Sequence, residues 1–397
     1  MEVILFRKNE ITIETFKNQL LFKIINYHDV SELKHENYGN FTELDLAKAG
    51  IDLLDKTAER NRRAAAKYLH EYELVKNICK KQVISRAYFK LYEIIYNESI
   101  ISQEKCDCFF ICEAPGGFIE AACDIRRKKN LQTNFVSISK YDKYIKYDRY
   151  LEESRLLYGD ITDPEILQKT ITDVHTRFPN GLDFVTADGG FDIKIFNAQE
   201  IISSKLLICE MYLAMSTQKI GGTFVIKFFD MFTHNSNIYY FILCTCYSYV
   251  KIIKPKTSRN CNSERYIVCY SFKGSNEMLN NLWTMILHFK INNYNTTTLI
   301  YPNFDFNKFS DFIKKISTFN NLVVYEQIKT INESIKMVHS KDTYIQNLIL
   351  SLFLEKHKKT IQIHENLLIF KHILQSRIKK CIEFLRIYNI NMVQIKF

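Results

Sequence analysis

Seven short apolar runs, each bounded by turn residues, pace this chain from Phe109 to Phe272. They are Phe109 to Cys112, Phe135 to Ile138, Leu156 to Tyr158, Leu182 to Ala187, Thr223 to Phe228, Val250 to Ile253 and Tyr266 to Phe272. Runs of this length between turn signals suit buried strands. Phe118 to Arg127 has helix-forming composition, and Asn197 to Met215 carries apolar residues at helical spacing. Strands alternating with helices predict a mostly parallel sheet covered on both faces, so residues 83–273 read as one α/β domain. Residues 1–82 read as a mainly helical extension, the helical pattern running from Ile51 to Tyr96. Residues 274–397 read as a mixed, then helical, accessory region, with strands expected at Thr298 to Tyr301 and Leu322 to Tyr325.

At 397 residues the chain has room for a substantial core, and 47% hydrophobic with 25% charged residues is ordinary for a globular protein. A formal charge of +10 is compatible with a polyanionic partner. Of eleven cysteines, Cys106, Cys108, Cys112 and Cys123 fall on or near a predicted strand and helix without zinc-type paired spacing, and Arg7, Lys8 and Glu10 interrupt any leader-like apolar start. Reduced thiols in an intracellular, reducing compartment are therefore expected. The longest mainly apolar run, Ile238 to Val250, is too short to span a bilayer, so no membrane partner is expected.

Candidate chemistry lies where such a sheet presents its ligand edge. Glu113-Ala114-Pro115-Gly116-Gly117 joins the first strand to a helix, the arrangement that brings backbone close to a nucleotide-like ligand. Eight of the eleven glycines fall between Gly116 and Gly222, each beside an apolar run. Four polar residues stand at related places: Lys90 before the first strand, Asp188 after the fourth, Lys227 inside the fifth, and Glu264 before the last. A lysine within Val225-Ile226-Lys227-Phe228-Phe229 is costly unless a carboxylate meets it. Taken alone, that pattern fits a buried ion pair with no chemical role as well as an active centre.

The motifs SRAYFKL, ICEAPGGF, FVTADGG, VIKFFDMFT and TSRNCNSERYIV, in this order, resemble the FtsJ-like (RrmJ-type) ribose 2′-O-methyltransferases. Within them the chain is most similar to the cap-specific mRNA methyltransferases, including the Adrift-type group and relatives in large DNA viruses. The resemblance covers about 83–273 and implies a class I methyltransferase sheet, S-adenosylmethionine as donor, no metal, and a Lys90, Asp188, Lys227, Glu264 tetrad. A ribose 2′-hydroxyl is a poor nucleophile. A lysine whose pKa is lowered by burial and a neighbouring cation can accept its proton or stabilise the forming alkoxide. Lys227 is that candidate, with Lys90 as second cation and Asp188 and Glu264 orienting both.

The resemblance also implies that Glu113, Ala114, Pro115, Gly116, Gly117 and Phe118 wrap the donor's methionine part, with Asp188 near the sulfonium. Asp160, in YGDIT, fits either the acid beside the adenine or a cap for the following turn. The second strand ends in Ser139 and Lys140 with no acid before Asp142, so no residue is assigned to the donor's ribose. For RNA, Arg60, Arg62 and Arg63 can track a phosphate backbone, with Ser258, Arg259 and Asn262 approaching from a second side. Capped mRNA is then the expected substrate and a capping or transcription assembly the expected partner. Such a protein would work in the nucleus, the cytoplasm or, if viral, the virion or virus factory. Two other readings stay open: methylation of ribosomal or transfer RNA, and a catalytically silent RNA-binding subunit.

Overall fold

A computed structural model describes residues 2–6, 22–26, 42–54, 56–140, 154–190, 199–291, 298–302, 310–339 and 368–392. These fall into two units, each drawn from separate stretches of chain, which cut across the three segments expected from composition. The first combines Met1–Asn40, Ala87–Pro255 and Glu264–Asn321; the second combines Phe41–Arg86, Lys256–Ser263 and Leu322–Phe397.

In the first unit the strands are β1 (Glu2–Phe6), β2 (Phe22–Asn26), β3 (Asp107–Ile111), β4 (Asn134–Ser139), β5 (Ser154–Tyr158), β6 (Leu182–Ala187), β7 (Gln218–Phe228), β8 (Tyr247–Ile253), β9 (Arg265–Phe272) and β10 (Thr298–Pro302). Eight of them form one sheet in the order β1-β8-β9-β7-β6-β3-β4-β5, and β10 pairs with β2 in a second. The run β5-β4-β3-β6-β7 is parallel throughout. β9 enters antiparallel beside β7, and β8 pairs antiparallel with β9. All seven apolar runs are therefore strands of one sheet. The N-terminal segment, expected to be mainly helical, supplies β1 and β2 as well as helices. Glu2-Val3-Ile4-Leu5-Phe6 pairs with β8, occupying backbone groups that an edge strand would leave unpaired.

Right-handed crossovers put α5 (Gly117–Lys128) on one face of this sheet and both α6 (Pro164–Arg177) and α7 (Gln199–Thr217) on the other. The packing agrees: α4 (Ala87–Glu98) lies against α5, while α6, α7 and α9 (Asn276–Ile291) lie against one another. α8 (His234–Cys246) follows β7 and packs on β8 and β9. Phe109, Phe110, Ile111, Phe184, Val185, Phe224, Val225 and Ile226 are all fully buried, which fixes the register of the central strands.

One charged side chain fastens α5 to this scaffold. Arg126 has no solvent exposure and donates to the carbonyls of Ile101, Gln103, Glu104 and Gln132 at 2.6–3.0 Å. A lysine cannot reproduce that fork. Arg126→Lys should destabilise the protein by about 2 kcal/mol, read from the urea midpoint at unchanged m-value.

The second unit holds α1 (Thr42–Asp52), α2 (Lys56–Leu69), α3 (Val75–Ile78) and α11 (Leu368–Ile387), and it takes the later part of α10 (Ser310–His339). Leu322 to Tyr325, expected as a strand, lie inside α10. Phe319, Val323 and Val324 are buried there while Leu322 and Tyr325 stay exposed, a helical rather than an alternating pattern. No described helix is long and apolar enough to cross a membrane. All eleven cysteines are free, nine of them buried.

Candidate active site

Strand register assembles this site. Ile111 of β3 lies opposite Ala187 of β6, and Ala187 opposite Ile226 of β7. The next residues, Cys112, Asp188 and Lys227, therefore emerge side by side at the carboxyl edge of the parallel strands. β9 runs the other way and sets Tyr266 opposite Lys227, so Glu264 leaves the sheet at the same edge. Lys90 reaches it from α4.

The four residues meet as two ion pairs. Lys227 Nζ lies 3.1 Å from Asp188 Oδ1 and donates to the Asp188 carbonyl at 2.9 Å. Lys90 Nζ lies 2.7 Å from Glu264 Oε1 and donates to Oε2 at 2.8 Å. Burial works against the charge on Lys227, but Asp188 and Glu264 outweigh it, and its pKa rises above the ordinary lysine value. The expected lowering of the Lys227 pKa is thus not met: with two carboxylates in reach it is an ammonium at neutral pH. Burial also works against a charged Glu264. Lys90, Lys227 and Lys254 overcome that, and its carboxyl falls to about 2.

Two partners carried no expectation. The buried Tyr266 hydroxyl donates to Asp188 Oδ1 at 3.0 Å, and buried Lys254 donates to the Glu264 carbonyl at 2.7 Å. Tyr266 sits two residues after Glu264 on the strand that faces Lys227, so register would have exposed it. A lysine just past an apolar strand, as Lys254 is, carries no such signal.

Beside the tetrad the backbone turns sharply. Cys112 leaves β3 at φ 57° and Gly116 caps α5 at φ 108°, a conformation that favours glycine. Ser139 Oγ accepts from Ala114 N–H at 3.0 Å, which ties the loop to β4. Glu113 is buried, and its Oε1 accepts from Phe118 N–H at 2.6 Å. Burial and then Asp188 push its carboxyl well above the usual range. Glu113 thus holds the loop onto the first turn of α5.

A cleft of about 800 Å³ is lined by Ala114 of the loop and by Asp188 and Lys227 of the tetrad. Ser139, Lys140 and Asp160 are among the other residues that line it. Asp160 Oδ1 accepts from the Thr162 amide and hydroxyl at 3.0 and 2.7 Å, while its Oδ2 lies 3.3 Å from Lys140 Nζ. Asp160 therefore braces the turn and also faces the cleft. The cap of α6 is Asp163, which accepts from Glu165 N–H. Asp142 lies outside the described residues.

The RNA candidates belong to the second unit. Arg62 is buried and held by both oxygens of Glu59, and Arg63 Nε lies 2.7 Å from the same carboxylate. Arg259 pairs with both oxygens of Glu73 at 2.8 and 2.9 Å. Asn262 is exposed, but Ser258 is buried, so the expected contact between Ser258 and RNA is not available at this surface.

Residues 83–272 match the family model for FtsJ-like methyltransferases. With the sheet order above, this part of the chain is an FtsJ-like methyltransferase domain of the class I fold. Among curated proteins, the chain is 31% identical over 258 residues to cap-specific mRNA (nucleoside-2′-O-)-methyltransferase 1 of Mus musculus, a match covering 57% of this chain and 30% of that protein. To cap-specific mRNA (nucleoside-2′-O-)-methyltransferase 2 of Danio rerio it is 27% identical over 277 residues, covering 64% and 37%. The chain thus spans about a third of the length of these relatives. A solved structure described as a ribosomal RNA methyltransferase from Plasmodium falciparum aligns with 48% of this chain and 99% of its own, at 19% identity and a TM-score of 0.39.

Proposed function

We propose that this chain is an S-adenosylmethionine-dependent RNA ribose 2′-O-methyltransferase that acts at the capped 5′ end of mRNA. The observation that carries the reading is the buried Lys227–Asp188 ion pair, which lines a cleft together with Ala114 of the glycine loop, and beside it the second buried pair, Lys90–Glu264. The names of the relatives support the cap-proximal substrate.

The cleft suits the donor. Its volume is in the range of nucleotide-sized pockets, and the first amides of α5 favour a carboxylate. Asp188 offers a negative charge for a sulfonium. Gly189 and Gly190 keep one wall bare, since a Cβ at Gly190 would lie 3.3 Å from Lys227 Nζ. Ala114 and Asp160 would border the methionine and adenine ends, and Ser139 and Lys140 lie between them. Bound there, S-adenosylmethionine would supply an electrophilic methyl group.

The chain's own residues do the rest. Lys227, charged and held at two points by Asp188, presents its remaining N–H toward a hydroxyl at the cleft edge. An ammonium beside an oxygen lowers the pKa of that oxygen. The hydroxyl proton would leave to water at the open cleft edge as the O–methyl bond forms and the donor's S–methyl bond breaks, with Lys227 stabilising the developing alkoxide. Lys90 adds a second positive charge, and Glu264 and Asp188 keep the cluster close to neutral. Tyr266 fixes Asp188 by donating to the same Oδ1 that meets Lys227.

The test is methyl transfer from labelled donor to two transcripts of one sequence, capped and uncapped, with the methylated ribose mapped by mass spectrometry. Transfer to the first or second transcribed nucleotide of the capped RNA alone is expected. Equal transfer to both transcripts points to another RNA class, and donor binding without transfer to any RNA points to a silent subunit. For RNA grip we propose Arg60, Arg63, Arg259 and Asn262. Arg63, whose side chain is 65% exposed, should reduce the slope of log affinity against log salt by about 1 when replaced by Ala. Filter binding across a salt series measures it, and an unchanged slope removes Arg63 from the path.

A further inference from the structure

An acid in the apolar middle of α7 reaches beneath the floor of the cleft. Glu210 is 1% exposed amid Leu206, Leu207, Ile208, Met211, Leu213 and Ala214. A carboxyl in such company is costly to bury without partners. Its hydrogen-bond partner comes from a strand end. Oε1 accepts from the Gly189 amide at 3.1 Å, and Cys112 is close enough to the carboxyl for the two to raise and lower each other's proton affinity. Gly189 follows Asp188, and Cys112 precedes the glycine loop.

The contact is tight enough to dictate sequence. A Cβ at Gly189 would stand 2.2 Å from Glu210 Oε1 and 2.7 Å from Leu206 Cδ2. That glycine is needed for close approach. The carboxyl also faces Lys227 from β7 and Asp188 from the end of β6. Burial is the largest influence on it and raises it to about 8, so it is mainly a neutral acid at pH 7.

We propose that Glu210 is a positioning residue: by holding the Gly189 N–H, it sets Asp188, and through Asp188 the Lys227 ammonium, against the start of the donor loop. The proposal rests on the methyltransferase reading. Glu210 touches neither the donor nor RNA in this scheme. Its effect is geometric, and a misplacement near 1 Å at a reacting centre can cost about a hundredfold in rate.

The test uses the full chain and the variants Glu210→Ala, Glu210→Gln, Gly189→Ala and the Glu210→Ala/Gly189→Ala double. Glu210→Ala should lower kcat roughly 30- to 100-fold with a smaller change in donor affinity by calorimetry. Glu210→Gln keeps an acceptor of the same shape as the neutral acid and should stay within about threefold of the parent. Gly189→Ala should resemble Glu210→Ala, and the double variant should be no worse than the poorer single one, because both break one contact. A kcat within threefold of the parent for Glu210→Ala, a glutamine no better than alanine, or losses that multiply in the double variant would each overturn the proposal.

Failure of the methyltransferase reading would show in the parent, as absent transfer. Hydrogen exchange at Gly189 then decides the matter. Faster exchange in Glu210→Ala, restored in Glu210→Gln, supports the clamp, and exchange equal to the parent in both overturns it.

Discussion

Lys227→Ala should lower methyl-transfer turnover by about a thousandfold or more while donor affinity changes by less than about fivefold. The lysine is the one charged side chain in the stretch Phe224 to Phe228, where Phe224, Val225, Ile226 and Phe228 are buried, and Asp188 holds its Nζ at both the carboxylate and the carbonyl. That grip leaves an N–H for a hydroxyl at the cleft edge, the interaction that strengthens as negative charge gathers on the oxygen. The raised Lys227 pKa keeps the group charged through the neutral range, so no loss of rate from its deprotonation should appear between pH 6 and 9. Lys227→Arg retains charge but swaps a point donor for a planar fork, and should recover less than about a tenth of the lost rate. Single-turnover assays with calorimetric donor binding separate the steps. If Lys227→Ala keeps turnover within tenfold of the parent, the ion pair is structural only.

What the sequence made legible was whatever leaves a local mark. Leu182 to Ala187 was readable as a strand because a glycine precedes it and an aspartate and two glycines follow it, and the observed strand has the same limits. β7 begins at Gln218, five residues before the apolar run: Gly221 and Gly222 interrupt the pattern, and the pairing with β6 shifts register there. Lys90, Asp188, Lys227 and Glu264 were readable because charge beside or inside apolar strands is costly and stands out. Their pairing depends on register between strands far apart in the chain, and so does Tyr266. Leu322 to Tyr325 has β-type composition, but Phe319, Val323 and Val324 bury at helical spacing, so packing overrode propensity. The direction of the Lys227 shift was not readable either, since it turns on how many carboxylates the fold brings within reach. Glu210 did leave a trace, a lone acid in Leu206 to Met215, but its partner, the Gly189 amide, belongs to a strand end far from it in the chain.

The other large effect is expected from the Lys90–Glu264 pair, and it is a stability effect with a defined pH window. Glu264 is 8% exposed, and its carboxyl lies near 2 where an unfolded glutamate lies near 4.5. A depressed carboxylate pKa stabilises the fold above the unfolded value, and the contribution is lost as pH falls through the folded value. The gap corresponds to about 3 kcal/mol at pH 7 and to about 1.4 kcal/mol at pH 3. Glu264→Gln keeps the shape but removes the charge, leaving Lys90, Lys227 and Lys254 turned toward a neutral group. It should be about 3 kcal/mol less stable than the parent at pH 7, and the difference should shrink by half or more at pH 3. Urea titrations of both proteins at the two pH values measure this. A difference that is the same at both would mean that hydrogen-bond shape, not charge, carries the pair. Lys90→Met removes the other partner and leaves the Glu264 carboxylate facing Lys254 and Lys227, so its cost should fall below that of Glu264→Gln if those two cations compensate. A Lys90→Met cost equal to or greater than that of Glu264→Gln would mean instead that Lys90 alone offsets the burial of Glu264, and that the two ion pairs of the site act independently.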